Sequence, residues 1–444
     1  MSSRIGIKLG VVVSAAFTFA AVLASYSAFR PVRDALILDR DPESLPWLWL
    51  GTFVVISIAS PVWSAVVAGR APRRFVAPAY HVFAACLVGF VVAVRAVPAG
   101  SATAVVVGRV FYVWSAVFNL FAVSVFWSLL ADLLGPRIAR QLYGPIAAGG
   151  TVGGLIGPLL TKLLVGAIGV AGVLAVSAVL LELAVVGIAV VRRVAGNIAP
   201  EERPAAEPEV LPGGGPFTGI AQVARTPYLA AIVGYVLCTA CAATFLYLAQ
   251  ARIVYAAHLT VAARTDFFAS IDVWTQAITF VLQVVVAGAA IRWLGPGLVL
   301  AVLPIAQAVG LSVVAASPSL AAIAVVQVIG KSATHGLTRP ARELLFTVVS
   351  RDDKYRAKNA IDTVGYRLGD LASSWLNKGL AALGGTALAL GGTALALATI
   401  PLVAIWLAVT AIAGLGFRRR VALQLAEPAA AQPAAAQPAE TPRR

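Results

Sequence analysis

Runs of about twenty apolar residues recur along the whole 444-residue chain, and this recurrence limits what it can fold into. A helix of that length crosses the hydrocarbon core of a bilayer and satisfies its own backbone hydrogen bonds there. The composition agrees, because 60% of the residues are hydrophobic, 12% are charged and the mean hydropathy is +0.90. So few polar residues could not cover a water-soluble surface. The sequence therefore predicts an all-α transmembrane protein.

The apolar runs form two sets of six. The first set lies near 9–37, 46–68, 75–95, 101–131, 145–166 and 169–191. The second set lies near 227–249, 265–291, 297–316, 319–348, 359–382 and 394–416. We therefore predict a six-helix half at 1–191, a Pro- and Gly-rich cytoplasmic linker at 192–226, a second half at 227–420 and a disordered cytoplasmic tail at 421–444. This pseudo-symmetric layout resembles the twelve-helix bundle of a major facilitator transporter, whose solute site lies between the halves.

Basic residues predict the orientation. If the N-terminus is cytoplasmic, most loop cations fall on the cytoplasmic side, which places both termini there by the positive-inside rule. The net charge of +15 then reflects topology and not a nucleic-acid surface, because the cations are spread through short loops. Arg4 and Lys8 before the first run also fit a secretory signal. That run is longer than a signal core of about 7 to 15 residues, so we expect an uncleaved first helix.

The sequence favours neither an enzyme nor a metal protein. Cys86, Cys238 and Cys241 all lie inside apolar runs, so we expect no disulfide framework, no metal site and no cofactor. The chain also lacks a phosphate-binding loop of the Walker type, which argues against a primary pump. Glycines at four-residue spacing, Gly149, Gly153 and Gly157, chiefly predict close packing of helices.

Polar residues inside the predicted spans are the candidates for a functional site, because each charge there costs roughly 2.5 kcal/mol or more on insertion scales. They recur at helical spacing. The second half supplies Asp272 and Gln276 in the eighth span, Lys331, His335, Arg339, Arg342 and Glu343 in the tenth, and Asp362, Tyr366 and Asp370 in the eleventh. The first half supplies Tyr26, Arg30, Arg33 and Asp34 in the first span, with Arg109 and Asn119 loosely aligned in the fourth.

These residues predict a polar central cavity with an excess of positive charge. Arginine gives paired donors to carboxylate or phosphate, so such a cavity favours an anionic solute. The alternative is that the charges only neutralise one another, for example Lys331 with Asp272, and lock the bundle. The motif RPxR followed by an acid occurs at Arg30 and again at Arg339. Because the two spans run in opposite directions, we expect the two copies to act as gates at opposite mouths of the cavity.

Three stretches resemble the ATP/ADP and NTP/NDP exchange transporter family. They read YSAFRPVRDALIL, FWSLLADLLGPRIARQLYG and RPARELLFTVVSRDDKYRAKNAIDTVGYRLGD. The resemblance implies a central cavity that binds nucleotide, with Arg33 beside Asp34 and the charges around Lys358, Asp362 and Asp370 helping to bind or couple. Two positions depart from the family, since Ile138 replaces an acid and Arg33 stands where a lysine is typical.

We therefore predict a secondary transporter that moves an anionic solute, such as ATP or ADP, by exchange or symport across a bacterial inner membrane. Its expected partners are the lipid bilayer, the solute and a coupling proton or counter-substrate, with no nucleic acid. Two alternatives remain open. One is transport or export of another organic anion or amphiphile, and the other is a non-transporting membrane component in lipid handling or scaffolding.

Overall fold

The computed structural model describes residues 2–39, 44–67, 71–196, 226–350 and 393–430, together with Gly369, Ser373 and Trp375. The regular elements in this part of the chain are helices. They are α1 Ser2–Leu36, α2 Leu45–Val67, α3 Pro72–Ala96, α4 Ala102–Leu133, α5 Pro136–Ala195, α6 Pro227–Ala256, α7 Val261–Val281, α8 Ala287–Ala316, α9 Leu320–Ala333, α10 Arg339–Leu345 and α11 Thr393–Ala430. The predicted span at 359–382 lies outside the described residues, and α11 ends later than the expected 416.

Nine helical runs among the described residues are long and apolar enough to cross a membrane. Two of them, Gln141–Ala195 and Val261–Ala316, contain 55 and 56 residues, more than twice the roughly 20 that one crossing needs. Each run is broken at a glycine with positive φ, Gly169 at 68° and Gly295 at 76°, a conformation that other residues rarely adopt. The breaks give four crossings, with boundaries where the apolar runs predicted them.

Helix α1 packs against α5 with their backbones in contact. A Cβ atom at Gly149, Gly153 or Gly157 would overlap the backbone of α1, at Ala16, Ala20 and Ala24 respectively. The structure thus confirms that these glycines serve close packing.

Two buried hydrogen bonds fix the register between these helices. The Thr161 hydroxyl donates to the Ala28 carbonyl at 2.6 Å, and the Ser25 hydroxyl donates to the Ser177 carbonyl at 2.7 Å. The α1 residues that follow are therefore held in a defined orientation.

The apolar core is divided between the two halves of the chain. One cluster of buried side chains is formed by residues from 21 to 188 and is rich in aromatic rings, including Phe29, Phe111 and Phe118. Another is formed by residues from 228 to 413 around Tyr235 and Trp406. Among the described residues, each half of the chain thus has an interior of its own.

The halves are joined by apolar contacts at the C-terminal end of α1, which we call the closed end. There Ile37, Leu38 and Leu45 share one cluster with Leu248 and Phe268 of the second half. The guanidinium of Arg264 donates to the Ala35 carbonyl at 3.2 Å across the same boundary. Among the described residues, the buried members of the cluster at the other end of α1 lie within 11–195. If the N-terminus is cytoplasmic as predicted, the closed end faces outward.

Candidate functional site

An ion pair joins α1 to α7 across the boundary between the halves. The Arg30 guanidinium donates from Nε to Asp272 Oδ2 at 3.0 Å, and its Nη2 contacts Asp272 Oδ1. The Lys331 ammonium lies 3.7 Å from the same Oδ1 atom. The Asp272 carboxylate is buried and forms ion pairs with two basic side chains, one from each half. The sequence suggested the contact with Lys331 but missed Arg30 as the closer partner.

A second charged pair lies one turn further along α1. Asp34 accepts from Arg33 Nε and Nη2 at 2.9 and 2.7 Å, and the Tyr247 hydroxyl of α6 lies 3.4 Å from the same oxygen. The Arg33 guanidinium also lies over the Tyr112 ring, 5.0 Å from its centroid, a cation–π contact. Arg33 and Asp34 are therefore held at the boundary between the halves, next to the closed end.

These residues form a charge cluster, which we define as Arg30, Arg33, Asp34, Asp272 and Lys331. It combines three basic with two acidic side chains, so one formal positive charge is left without an opposite charge inside the cluster. Buried charges without a counter-charge are costly, which favours the entry of an anion.

A cavity of about 390 Å³ lies beside the charge cluster, between the halves. Helices α2 and α4 line it with Trp49, Thr52, Phe53 and Tyr112. From the second half it is lined by hydroxyl, amide and basic side chains together with Tyr247. They include Thr239, Thr244, Gln307, Gln327, Lys331 and His335. The cavity therefore has an aromatic side, a neutral polar side and a cationic edge.

Two short π-helices interrupt the spans, Leu282–Val286 after α7 and Thr334–Thr338 after α9, and the second one lines the cavity with Thr334 and His335. The Gln283 amide donates to the His335 carbonyl at 3.0 Å and so links them. A Cβ atom at Gly336 would lie 2.7 Å from the Leu282 Cβ, so the glycine permits their close approach. Such segments are frequent at functional sites.

The second π-helix falls within the expected basic stripe. Lys331 and His335 line the cavity, whereas Arg339 and Arg342 are not among its lining residues. A π-helix places an extra residue in its turn, so the residues that follow are rotated by roughly 100° from the α-helical expectation. Arg339 begins α10, and Arg342 Nη2 lies 3.7 Å from Glu343 Oε1.

The other predicted residues fall in different places. Tyr26 stacks on Phe118 at the α1–α4 contact, one turn before Arg30. Gln276 crosses between the halves, since a Cβ atom at Gly154 would lie 2.6 Å from its Nε2 atom. Both therefore border the charge cluster.

The expectation for α4 is only partly met. Arg109 is exposed and lines an outer groove with Val110 and Val113, so the structure does not bring it to the cavity. Asn119 is also exposed, two helical turns after Tyr112 and on the same face of α4. The predicted residues Lys358, Asp362, Tyr366 and Asp370 lie outside the described residues.

Several residues of the cavity were missed at the sequence level, namely Trp49, Tyr247, Gln307 and Gln327. Trp49 donates from its indole nitrogen to the Tyr112 hydroxyl at 2.8 Å, which orders that side of the cavity. Gln307 and Gln327 lie in apolar spans. A glutamine there indicates a functional site, as a charged residue does, but less strongly. Among the described residues, no group of three or more His, Cys, Asp or Glu side chains could hold a metal ion.

Residues 297–417 match the family model described as TLC ATP/ADP transporter. This confirms the resemblance over that part of the chain. No curated protein sequence matches the chain.

The whole described architecture is similar to solved transporter structures. A mutant of the nucleoside transporter NupG has a TM-score of 0.60 at 11% identity, covering 90% of this chain and 99% of that one. A bacterial homologue of the iron transporter ferroportin, in an inward-facing state, has a TM-score of 0.58 at 14% identity, covering 94% and 98%. A bacterial homologue of the human lysosomal transporter Spinster gives 0.55 at 14%, with the same coverage. The chain therefore has the major facilitator fold, as predicted.

Proposed function

We propose that the protein is a secondary transporter that moves an anionic solute by alternating access, with nucleotide exchange as the reaction. The observation that carries the proposal is the charge cluster, in which Arg30 of one half and Lys331 of the other converge on Asp272 beside the cavity. The match to an ATP/ADP transporter model supports a nucleotide as the solute. We propose a bacterial inner membrane as its location, with both termini in the cytoplasm; the distribution of basic residues supports this orientation.

Asp272 acts in this mechanism as a substitute for the anionic group of the solute. A phosphate or carboxylate that enters the cavity pairs with Arg30 and Lys331, because both groups offer charge-assisted hydrogen bonds. The solute then replaces part of the contact between Arg30 and Asp272. That contact ties α1 to α7, so its loss favours separation of the halves at the closed end.

Exchange follows from the charge balance of the cluster. Without solute, reorientation carries an uncompensated positive charge through a region of low dielectric constant, which is costly. A bound anion compensates that charge. The loaded protein therefore reorients more readily than the empty one, and outward movement of one anion is coupled to inward movement of another.

Uptake of labelled ADP into proteoliposomes, with and without internal ADP, tests the proposal. We expect internal ADP to stimulate uptake and Lys331→Met to lower it at least tenfold, since a hydrogen bond to a charged group contributes about 1.5–3 kcal/mol. Lys8→Met is the matched control, because Lys8 lies about 33 Å before Arg30 along α1 at a rise of about 1.5 Å per residue. The control should transport like the unmodified protein.

Two results would contradict the proposal. One is that uptake of labelled ADP does not exceed that of protein-free liposomes. The other is that Lys331→Met transports as well as Lys8→Met, when thermal unfolding shows that the variant is folded.

A further inference from the structure

Two glutamines form the neutral polar side of the cavity, and the transport cycle outlined above gives them no role. Gln307 of α8 and Gln327 of α9 are 5% and 3% exposed, and both line the cavity. A primary amide offers a donor and an acceptor on one rigid plane. Two such groups facing a cavity are suited to the edge of a planar ligand that itself carries donors and acceptors.

The amide of Gln307 has unused capacity for a ligand. Its Oε1 atom is buried and accepts no hydrogen bond from the described residues. Buried polar atoms are nearly always paired, and an unpaired one in a residue that lines a cavity calls for a ligand or water.

Gly330 helps to place this amide. A Cβ atom at Gly330 would lie 2.5 Å from Gln307 Nε2, so the amide packs directly against the backbone of α9. The glycine provides the space and the backbone limits the amide's movement. The orientation of Gln307 is therefore set by the helix that also carries Gln327 and Lys331.

The first half contributes flat aromatic surfaces to the same cavity. Trp49 and Tyr112 line it and are hydrogen-bonded to each other. The Trp49 ring lies 5.6 Å from the ring of Tyr247, which joins them from the second half. Aromatic rings bind other planar rings by stacking, and this contact does not depend on which polar atoms lie at the edge of the ligand ring.

We propose that Gln307 and Gln327 determine specificity by hydrogen-bonding the edge of a planar nitrogen heterocycle, a purine or pyrimidine base, that stacks on the aromatic side of the cavity. This inference rests on the proposed function, since it assigns the anionic group of the same solute to the charge cluster. The two subsites are adjacent, because Lys331 follows Gln327 by one helical turn, about 6 Å along the helix axis. The solute thus has a ring at one end and an anion at the other.

Calorimetric binding of three probes to the purified full-length protein tests the assignment. AMP carries both ring and anion, ribose 5-phosphate carries the anion alone, and adenosine carries the ring alone. We expect AMP to bind at least tenfold more tightly than ribose 5-phosphate. In Gln307→Leu and in Gln327→Leu this ratio should fall towards one, while the affinity for ribose 5-phosphate stays unchanged.

Gln250→Leu is the matched control. Gln250 is 2% exposed, and its Oε1 atom also lacks a hydrogen bond from the described residues, but it does not line the cavity. It should retain the full preference for AMP. If Gln307→Leu does not fold, Gln307→Glu keeps the shape of the side chain and replaces its amide donor. A reduced preference for AMP in that variant supports the assignment equally.

The remaining outcomes separate the two proposals. If the glutamine variants weaken AMP and ribose 5-phosphate equally, or if the unmodified protein does not prefer AMP, the specificity assignment is overturned. If adenosine binds and depends on Gln307 while neither phosphate binds, the anion transport proposal fails and the ring subsite stands. If none of the three probes binds at millimolar concentration, both are overturned.

Discussion

Replacing Asp272 by asparagine separates the two roles of the charge cluster. The carboxylate joins Arg30 to Lys331 and, in the proposed mechanism, competes with the solute for both cations. Asparagine keeps the shape of the side chain but removes its charge. We therefore expect the variant to lose stability and to gain affinity for an anion, two changes of opposite sign.

The size of the loss follows from burial. Breaking a buried ion pair costs about 3–5 kcal/mol, whereas an exposed pair is worth at most about 1 kcal/mol. The Asp272 side chain is 5% exposed, but the Arg30 and Lys331 side chains are 31% and 36% exposed, so water screens them in part. An intermediate loss of about 2 kcal/mol is expected. If Asp272 competes with the solute, its replacement should strengthen binding of AMP by a similar free energy, which corresponds to an affinity about tenfold or more higher.

Thermal unfolding in detergent and calorimetric binding of AMP measure the two changes. Asp272→Asn should unfold at a lower temperature and bind AMP about tenfold more tightly. AMP at a hundred times its dissociation constant stabilises by about 2.7 kcal/mol, enough to offset the loss. Glu182→Gln is the control, because Glu182 pairs with His81 at 3.0 Å on an exposed face away from the cavity. It should leave AMP binding unchanged.

One result would refute the reasoning. If Asp272→Asn binds AMP more weakly than the unmodified protein while remaining folded, Asp272 does not compete with the solute. The carboxylate would then contact the solute or a coupling ion directly. An unchanged unfolding temperature would show separately that the tie between α1 and α7 contributes little stability.

Two further predictions concern the packing of the helices. Gly153→Val should prevent the close contact of α1 with α5 and sharply reduce the yield of folded protein, whereas Gly89→Ala should not, because no atom lies within 4 Å of a Cβ at that position. Fluorescence-detected size exclusion compares the two. Arg264→Met removes the hydrogen bond to the Ala35 carbonyl and should loosen the closed end. A cysteine introduced at Leu45 should then react with maleimide several-fold faster, and an unchanged rate would contradict the role of Arg264.

The crossings of the chain could be predicted from the sequence because they depend on local properties. Hydropathy and length place a span wherever about twenty apolar residues follow one another. The breaks at Gly169 and Gly295 agree with the predicted boundaries, since the apolar runs end at 166 and 291 and resume at 169 and 297. The stripe of Lys331 and His335 followed from helical periodicity in the same way.

Contacts between distant segments were decided by the tertiary structure. Periodicity states which residues share a face of a helix, but not which helix that face meets. Arg30 and Asp272 are 242 residues apart, and their pairing depends on how the two halves close on each other. The amide of Gln307 became a candidate for the same reason. Only the packed bundle shows that its oxygen is unpaired and that the residue lines the cavity.

The π-helix at Thr334–Thr338 marks the point where helical periodicity in the sequence and the tertiary structure differ. An α-helical spacing placed Lys331 and His335 on one face, and both line the cavity, whereas Arg339 and Arg342, which follow the extra residue of the π-helix, are not among its lining residues. That insertion is stabilised by contacts with a second π-helix 52 residues earlier, through Gln283. The sequence by itself determined the membrane fold and its polar faces, whereas the tertiary structure decided which of those residues meet, because hydropathy acts locally and side-chain contacts depend on the whole bundle.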